Sequence, residues 1–275
     1  MPIIIIITVM ILIILYLFAI MPKLKCNLAI KHFEGRFYAH RGLHKNRSKA
    51  PENSIPAFRL AIENSYGIEL DVQLTKDEVP VVIHDYNLLR ICGVNQKIAE
   101  LTYEELQQYY LYKSKERIPT FTEALACIDG KVPLIIELKI PSKASRTCEI
   151  VAEALKSYPG VYCIESFNPF GLIWYRKNKP QIMRGQLSSN FLKDKEEGSK
   201  FQYFVLKNFL LNFLTKPDFI SYNYVHKKDI SFTICRKLYR VITFAWTIKS
   251  QEALESNKDL FDFFIFDSFI PTRKN

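Results

Sequence analysis

Residues 67–72, Gly-Ile-Glu-Leu-Asp-Val, decide how the rest of the chain is read. Apolar residues alternate with two acids, and successive side chains of a strand point to opposite faces, so Glu69 and Asp71 share one side. Three further stretches have the same character: AHRG at 39–42, VVIHD at 81–85 and IIELK at 135–139. Each is an apolar run closed by polar groups, and Glu137 and Lys139 again fall on one side. Outward from these, strand-like runs recur at 37–39, 67–73, 79–84, 134–139, 161–166, 182–187, 219–222, 241–246 and 263–266, separated by stretches of helical character. That alternation predicts βα units around a parallel sheet, and an α/β barrel is the natural architecture. Nine runs exceed eight barrel positions, so one is expected to be a loop or a short extra strand. Helices are predicted over 54–64, 102–110 and 120–128 from apolar residues at three- and four-residue spacing after a Ser or Thr, and Thr102 with Glu105 forms a capping-box pattern.

With 275 residues, 48% hydrophobic and 24% charged, the chain suits one barrel-sized domain with a short appendage. The formal charge of +10 fits nucleic acid, an anionic membrane surface or a phosphorylated substrate. Basic residues are spread along the sequence without an RNP, helix-turn-helix or Cys/His finger pattern, which argues against nucleic acid. The six cysteines are scattered, with no CxxC pair, and read as reduced structural residues. Cys26 alone lies just beyond the apolar N-terminus, where acylation is possible, but it lacks the small residues that precede a lipoprotein cysteine.

Residues 3–20 carry no charge. As a helix rising about 1.5 Å per residue they approach the roughly 30 Å hydrocarbon core. No basic residue precedes the run and no A-x-A-like site follows it, so a retained single-pass anchor is expected rather than a cleaved signal. Lys23, Lys25, Lys31 and Arg36 follow the apolar run, which places the barrel domain in the cytoplasm by the positive-inside rule, with an outward-facing domain as the alternative. The expected organisation is an anchor at 1–22, a basic linker at 23–35 and a barrel domain at 36–275.

In a barrel the C-terminal strand ends converge, bringing Glu69, Asp71, Glu137 and Lys139 into one pocket. Three buried carboxylates repel one another and lose hydration, and a divalent cation would resolve the conflict. An all-oxygen set suits Mg²⁺ or Ca²⁺. His40 and His84 close two of the strands and supply two proton carriers, while Arg41 and Lys139 suit phosphate oxygens. The ensemble fits phosphodiester cleavage.

The order AHRG, PENSIPAF at 51–58, GIELDV, VVIHD, IPTFTEAL at 118–125, IIELK, ESFNP at 165–169 and AWTI at 245–248 resembles the glycerophosphodiester phosphodiesterase family over nearly everything after Gly35. The resemblance implies a (β/α)8 TIM barrel, Glu69, Asp71 and Glu137 as metal ligands, and His40 and His84 as the catalytic pair. It further implies that Arg41 contacts phosphate, that Glu52 and Lys139 support the site, and that Trp246 borders a glycerol pocket. The implied substrate is a glycerophosphodiester, with a lysophospholipid as the alternative. A catalytically silent barrel that binds lipid head groups is the rival of another class. The C-terminal FIFDSFIP departs from the family pattern, keeping Asp267 but losing the small residues before it, which puts substrate contacts from the last strand in doubt.

Blander readings stand beside these. The three carboxylates could be ion-pair partners of Arg41 and Lys139 with no metal, and Trp246 could be packed core. His32, His44 and His226 read as satisfied polar groups, and Asp85 as a residue that orients His84 or caps a turn rather than a metal ligand. The apolar run from Phe201 to Leu214 reads as a barrel helix, with an interfacial helix beside the active-site mouth as the alternative. Oligomeric state is not legible.

Overall fold

The computed structural model describes residues 1–25, 27–141, 144–196 and 198–272, so Cys26 lies outside the described residues. Nine strands form one sheet: β1 Tyr38–His40, β2 Gly67–Leu74, β3 Pro80–Val82, β4 Leu134–Leu138, β5 Tyr162–Ser166, β6 Arg184–Ser188, β7 Phe219–Asn223, β8 Ile242–Ile248 and β9 Phe263–Phe266. Eight of them run parallel in the order β1-β9-β8-β7-β6-β5-β4-β2, and pairing of β1 with β2 closes the barrel. The ninth run is β3, which pairs antiparallel with the end of β2 and stands outside the eight-strand cycle. All nine predicted runs are strands, and the expected supernumerary one is 80–82.

The helices are α1 Pro2–Ile20, α2 Ile55–Glu63, α3 Leu89–Cys92, α4 Tyr103–Leu106, α5 Phe121–Ile128, α6 Ala144–Ala154, α7 Pro169–Asn178, α8 Lys200–Lys207, α9 Asn212–Thr215, α10 Ile230–Lys237 and α11 Gln251–Glu255. Ser54, Thr102 and Thr120 cap α2, α4 and α5, the last two with complete capping boxes. Such caps satisfy backbone N–H groups that have no partner inside the helix. The helix expected over 102–110 ends at Leu106. The run from 201 to 214 is two helices with a break at 208–211, where Phe209 adopts φ +56° and buries its ring 5.6 Å from that of Tyr222. Tertiary burial of one aromatic overrides helical periodicity there, and Asn208 Nδ2 caps the break by donating to the Phe204 carbonyl at 2.9 Å.

Alternation along the strands sorts side chains into two layers. Leu70, Ile136, Ile164 and Ile220 face outward into the helix layer, whereas Tyr38, Ile135, Cys163, Phe219, Phe244 and Phe263 fill the barrel interior. A short 3₁₀ turn, Leu28–Phe33, sets Ile30 and Phe33 against that interior cluster, and the Phe33 carbonyl accepts from Tyr38 Oη at 2.7 Å. Lys23 Nζ pairs with Asp218 at 2.6 Å. The segment read from sequence as a linker therefore closes the barrel floor.

A Cβ placed on Gly185 would sit 2.0 Å from the Phe219 ring. Overpacking of this kind costs about 1–3 kcal/mol. Gly185→Ala is therefore expected to lower the melting temperature by several degrees in a thermal circular-dichroism scan. An unchanged transition would mean that the interior has slack.

Candidate active site

The register that closes the barrel also assembles the polar cluster. His40 is level with Glu69 across β1 and β2, Asp71 with Glu137 across β2 and β4, and Glu137 with Glu165 across β4 and β5. Because alternate residues face inward, these side chains meet above the apolar interior layer, at the C-terminal strand ends. His40, Glu69, Glu137 and Glu165 line a cavity of about 590 Å³ that also includes Arg41, His84, Tyr86, Lys139, Phe167 and Trp246. Of the nine residues given catalytic, phosphate-binding or metal-binding roles from sequence, Asp71 and Glu52 are set back from the cavity wall. Asp71 is buried between Arg41 and Lys139, and Glu52 stands directly behind Arg41.

Both imidazoles are held by carboxylates through Nδ1. Asp85 Oδ1 lies 2.6 Å from His84 Nδ1, and Asp267 Oδ2 lies 3.3 Å from His40 Nδ1. The Nε2 atoms are thus the nitrogens left for chemistry, that of His40 being 4.0 Å from Glu69 Oε2. Burial foremost, and then the Arg41 charge, lowers the His40 pKa to about 4, so the ring is neutral near pH 7.

Arg41 occupies a left-handed backbone position, φ +56°, that lets its N–H donate to Glu69 Oε2 at 3.0 Å. Its Nη1 donates to Glu52 Oε1 at 2.8 Å, and its Nε lies 3.4 Å from Asp71 Oδ2. Glu52 also accepts from Arg90 Nη2 at 2.6 Å, and Arg90 Nε donates to Asp85 at 2.7 Å. Burial works against the Glu52 charge, but the Arg90 hydrogen bond and Arg41 prevail and bring its pKa down to about 2. One buried carboxylate thereby ties the backing of His84 to Arg41.

The three acids expected to hold a cation are buried together. Burial, followed by repulsion from Asp71, raises the carboxyl pKa of Glu69; at Glu137 the same burial is only partly offset by Lys139 at 3.0 Å. Glu165 is likewise raised, by burial and then by Glu137. At Asp71 burial is outweighed by His84, Arg41 and Lys139, and its pKa falls below the ordinary range. Asp71 Oδ1 is buried without a hydrogen-bond partner. The pocket thus holds more carboxylate charge than its own cations balance, and a hard divalent cation fits this donor set.

Among the described residues, ligand atoms of Asp71, His84 and Glu137 lie within 4.8 Å of one another, as do those of His40, His44 and Asp267. Glu69 is turned toward the Arg41 backbone instead. Trp246 lines the cavity with its ring edge-on to Phe167, and its Nε1 is buried without a partner, available to a ligand oxygen.

Sequence reasoning underrates three residues. Asp267, which it ties to substrate contacts, bridges His40 and His44, whose Nε2 is 3.3 Å from Oδ1. His44, which it reads as bland, belongs to that bridge, and Arg90 it does not single out at all. His226 behaves as expected, paired with Asp194 at 2.6 Å, and His32 is exposed. Asp267→Asn is expected to lower turnover at least about tenfold, and by no more than the ~10²–10⁴ that proton transfer contributes in full, with KM little changed. Steady-state kinetics on a soluble phosphodiester would check this, and unaltered turnover would show that His40 needs no such partner.

Comparison with known proteins bears on this arrangement. The model of the "Glycerophosphoryl diester phosphodiesterase family" matches residues 40–261. A glycerophosphodiester phosphodiesterase of Caldanaerobacter subterraneus is 36% identical over 162 residues, 54% of this chain and 65% of that protein. Bovine glycerophosphodiester phosphodiesterase 1 is 26% identical over 225 residues, 69% of this chain and 66% of that one. The matched stretches span 39–66% of the length of the first four curated relatives. Among solved structures, an Oleispira antarctica phosphodiesterase in complex with the product sn-glycerol-3-phosphate superposes with a TM-score of 0.69 at 25% identity, covering 86% of this chain and 94% of that one. Since the matched family region takes in the barrel from the histidine that ends β1 almost to its last strand, this chain belongs to the glycerophosphoryl diester phosphodiesterase family.

Proposed function

We propose that the chain is a metal-dependent enzyme that hydrolyses a glycerophosphodiester to glycerol 3-phosphate and an alcohol. The observation that carries this reading is the pair of imidazoles, each fixed through Nδ1 by an acid, at one cavity with buried carboxylates that lack enough positive charge. Glu69, Asp71 and Glu137 would hold one Mg²⁺ or Ca²⁺, which when bound supplies Lewis acidity and screens phosphate charge. His40, neutral near pH 7, accepts the proton of the attacking oxygen, which is either a water, giving glycerol 3-phosphate directly, or the glycerol 2-hydroxyl, giving a cyclic phosphate that a water then opens with the two histidines in reversed roles. As the new P–O bond forms and the old one breaks, His84 gives its proton to the departing alcohol oxygen. Arg41 and Lys139 hold the non-bridging oxygens, Glu52 fixes Arg41, and the Trp246 indole borders the glycerol.

Residues 1–22 serve in this reading as a retained membrane anchor, with the barrel of 36–275 in the cytoplasm. Support for retention comes from the end of α1, where the buried Ile20 offers its carbonyl to Asn212 Nδ2 at 3.0 Å and Tyr16 Oη meets Ser231 Oγ at 2.8 Å. Cleavage would uncover both partners. Release of glycerol 3-phosphate from glycerophosphoethanolamine by the full chain tests the assignment, and no release with either metal supplied would sink it.

A further inference from the structure

His44 lies in the loop between β1 and α2, and the backbone on either side of it is pinned. Leu43 N–H donates to the Ala57 carbonyl at 3.0 Å, and Lys45 N–H to that of Ala50 at 2.8 Å. The side chain between them is 9% exposed, and both ring nitrogens are shut off from solvent without making a hydrogen bond. Withdrawing two polar atoms from water with nothing to bond them is costly, and a fold tolerates it where the group has a ligand to meet.

The ring faces the Asp267 carboxylate. His44 Nε2 is 3.3 Å from Oδ1, and on the other side of the same carboxylate Oδ2 is 3.3 Å from His40 Nδ1. Asp267 is itself fixed, its N–H donating to the Ile248 carbonyl and Ser268 Oγ donating to Oδ1, both at 2.9 Å. A charge-assisted hydrogen bond is ordinarily ~2.7–2.9 Å long. Two separations of 3.3 Å are nearer to the edge, about 3.3 Å, of a tetrahedron of ligand atoms ~2.0–2.1 Å from one zinc ion. Ligand atoms of all three side chains lie within 4.8 Å of one another. Two imidazoles with one carboxylate suit Zn²⁺, unlike the all-oxygen set on β2 and β4.

The site also has its own entrance. His44 and Asp267 line a cavity of about 720 Å³, walled further by Leu43, Leu60, Phe269 and Ile270, that shares no residue with the catalytic cavity. The His40 ring stands between the two, with Nδ1 toward Asp267 and Nε2 on the catalytic side, 4.0 Å from Glu69 Oε2. An ion can therefore reach Nδ1 without passing the substrate, and the outer cavity leaves room for a water as fourth ligand.

We propose that His40 Nδ1, His44 Nε2 and Asp267 form an inhibitory zinc site, entered from the outer cavity and separate from the acidic cluster that serves catalysis. This rests on the reading of His40 as proton acceptor and adds a regulator to it. A neutral imidazole carries one proton and one free lone pair. With Nδ1–H directed at Asp267, the lone pair is on Nε2 and can take the proton of the attacking oxygen. Zinc takes the lone pair of Nδ1 instead, so the ring's one proton moves to Nε2. His40 is then a donor on the catalytic side and accepts nothing until the metal leaves.

The test titrates the full chain in detergent micelles with Zn²⁺ by calorimetry, with Mg²⁺ in excess. One Zn²⁺ per chain is expected to bind. His44→Gln should weaken that binding by about tenfold or more, and Glu137→Gln, in the acidic cluster, should leave it unchanged. In hydrolysis of glycerophosphoethanolamine, the Zn²⁺ concentration for half-inhibition should rise by about tenfold or more in His44→Gln, each rate being taken relative to that protein's own zinc-free rate. Raising Mg²⁺ should not relieve inhibition of the wild type. If circular dichroism shows that His44→Gln does not fold, Asp267→Asn takes its place with the same loss of zinc affinity expected. Unchanged zinc affinity in the folded variant, loss of zinc binding in Glu137→Gln, or relief of inhibition by Mg²⁺ would overturn the site. Absence of hydrolysis by the zinc-free wild type would instead overturn the diesterase reading, and calorimetry would then judge the metal site alone.

Discussion

Replacing His40 by alanine is expected to lower kcat/KM for a glycerophosphodiester by about 10²–10⁴, the usual contribution of a positioned proton carrier. The ring sits at the end of β1 facing the cavity rather than in the packed interior, so the fold should survive, as circular dichroism can verify. Loss of His84 should have an effect of similar size. The double variant should be little worse than either single one, because residues that act on one proton-transfer path are strongly non-additive. The pH profile carries the sign. With the His40 pKa lowered to about 4, first by burial and then by Arg41, the ring is a neutral base above that value, and activity should fall as the pH drops through it. An acid limb that is the same in the His40→Ala protein would assign the titration elsewhere.

Changing Glu137 to glutamine separates stability from function. Its folded-state pKa is raised, chiefly by burial, so holding the ionised form costs more in the folded protein than in the unfolded chain. Removing that charge while keeping an oxygen for Lys139 should leave the metal-free melting temperature unchanged or higher. Activity should nevertheless fall on the order of 10³-fold, as expected when several kcal/mol of Lewis-acid stabilisation is lost. Mg²⁺ or Ca²⁺ should raise the melting temperature of the wild type and not of this variant, because a ligand that binds the native state stabilises it by mass action. EDTA should silence the wild type, and either ion should restore it. A wild type whose melting curve and activity ignore both chelator and metal would leave the acidic cluster as an ion-pair network.

The strands are legible because a parallel barrel buries both faces of its sheet, so each strand is an apolar run closed by the polar groups of the rim. Glu69, Asp71, Glu137 and Lys139 can be grouped from alternation alone. Residues whose role depends on the first and last strands meeting are less visible. Asp267 acts by reaching His40, 227 positions earlier, and His44 only by touching Asp267. Arg90 lies on a four-residue helix after β3 and shows its purpose only where Glu52 and Asp85 stand beside it. The break at Phe209 carries no glycine or proline to announce it, since a buried ring, not a turn residue, imposes the left-handed backbone.

The plug formed by Ile30 and Phe33 has a practical consequence for anyone making a detergent-free version of this protein. A truncated chain begun at residue 36, the boundary suggested by sequence, would bare the aromatic rings of Tyr38, Phe244 and Phe263 at the base and invite aggregation. Starting near Leu24 would discard the apolar helix yet keep the stopper in its bottle.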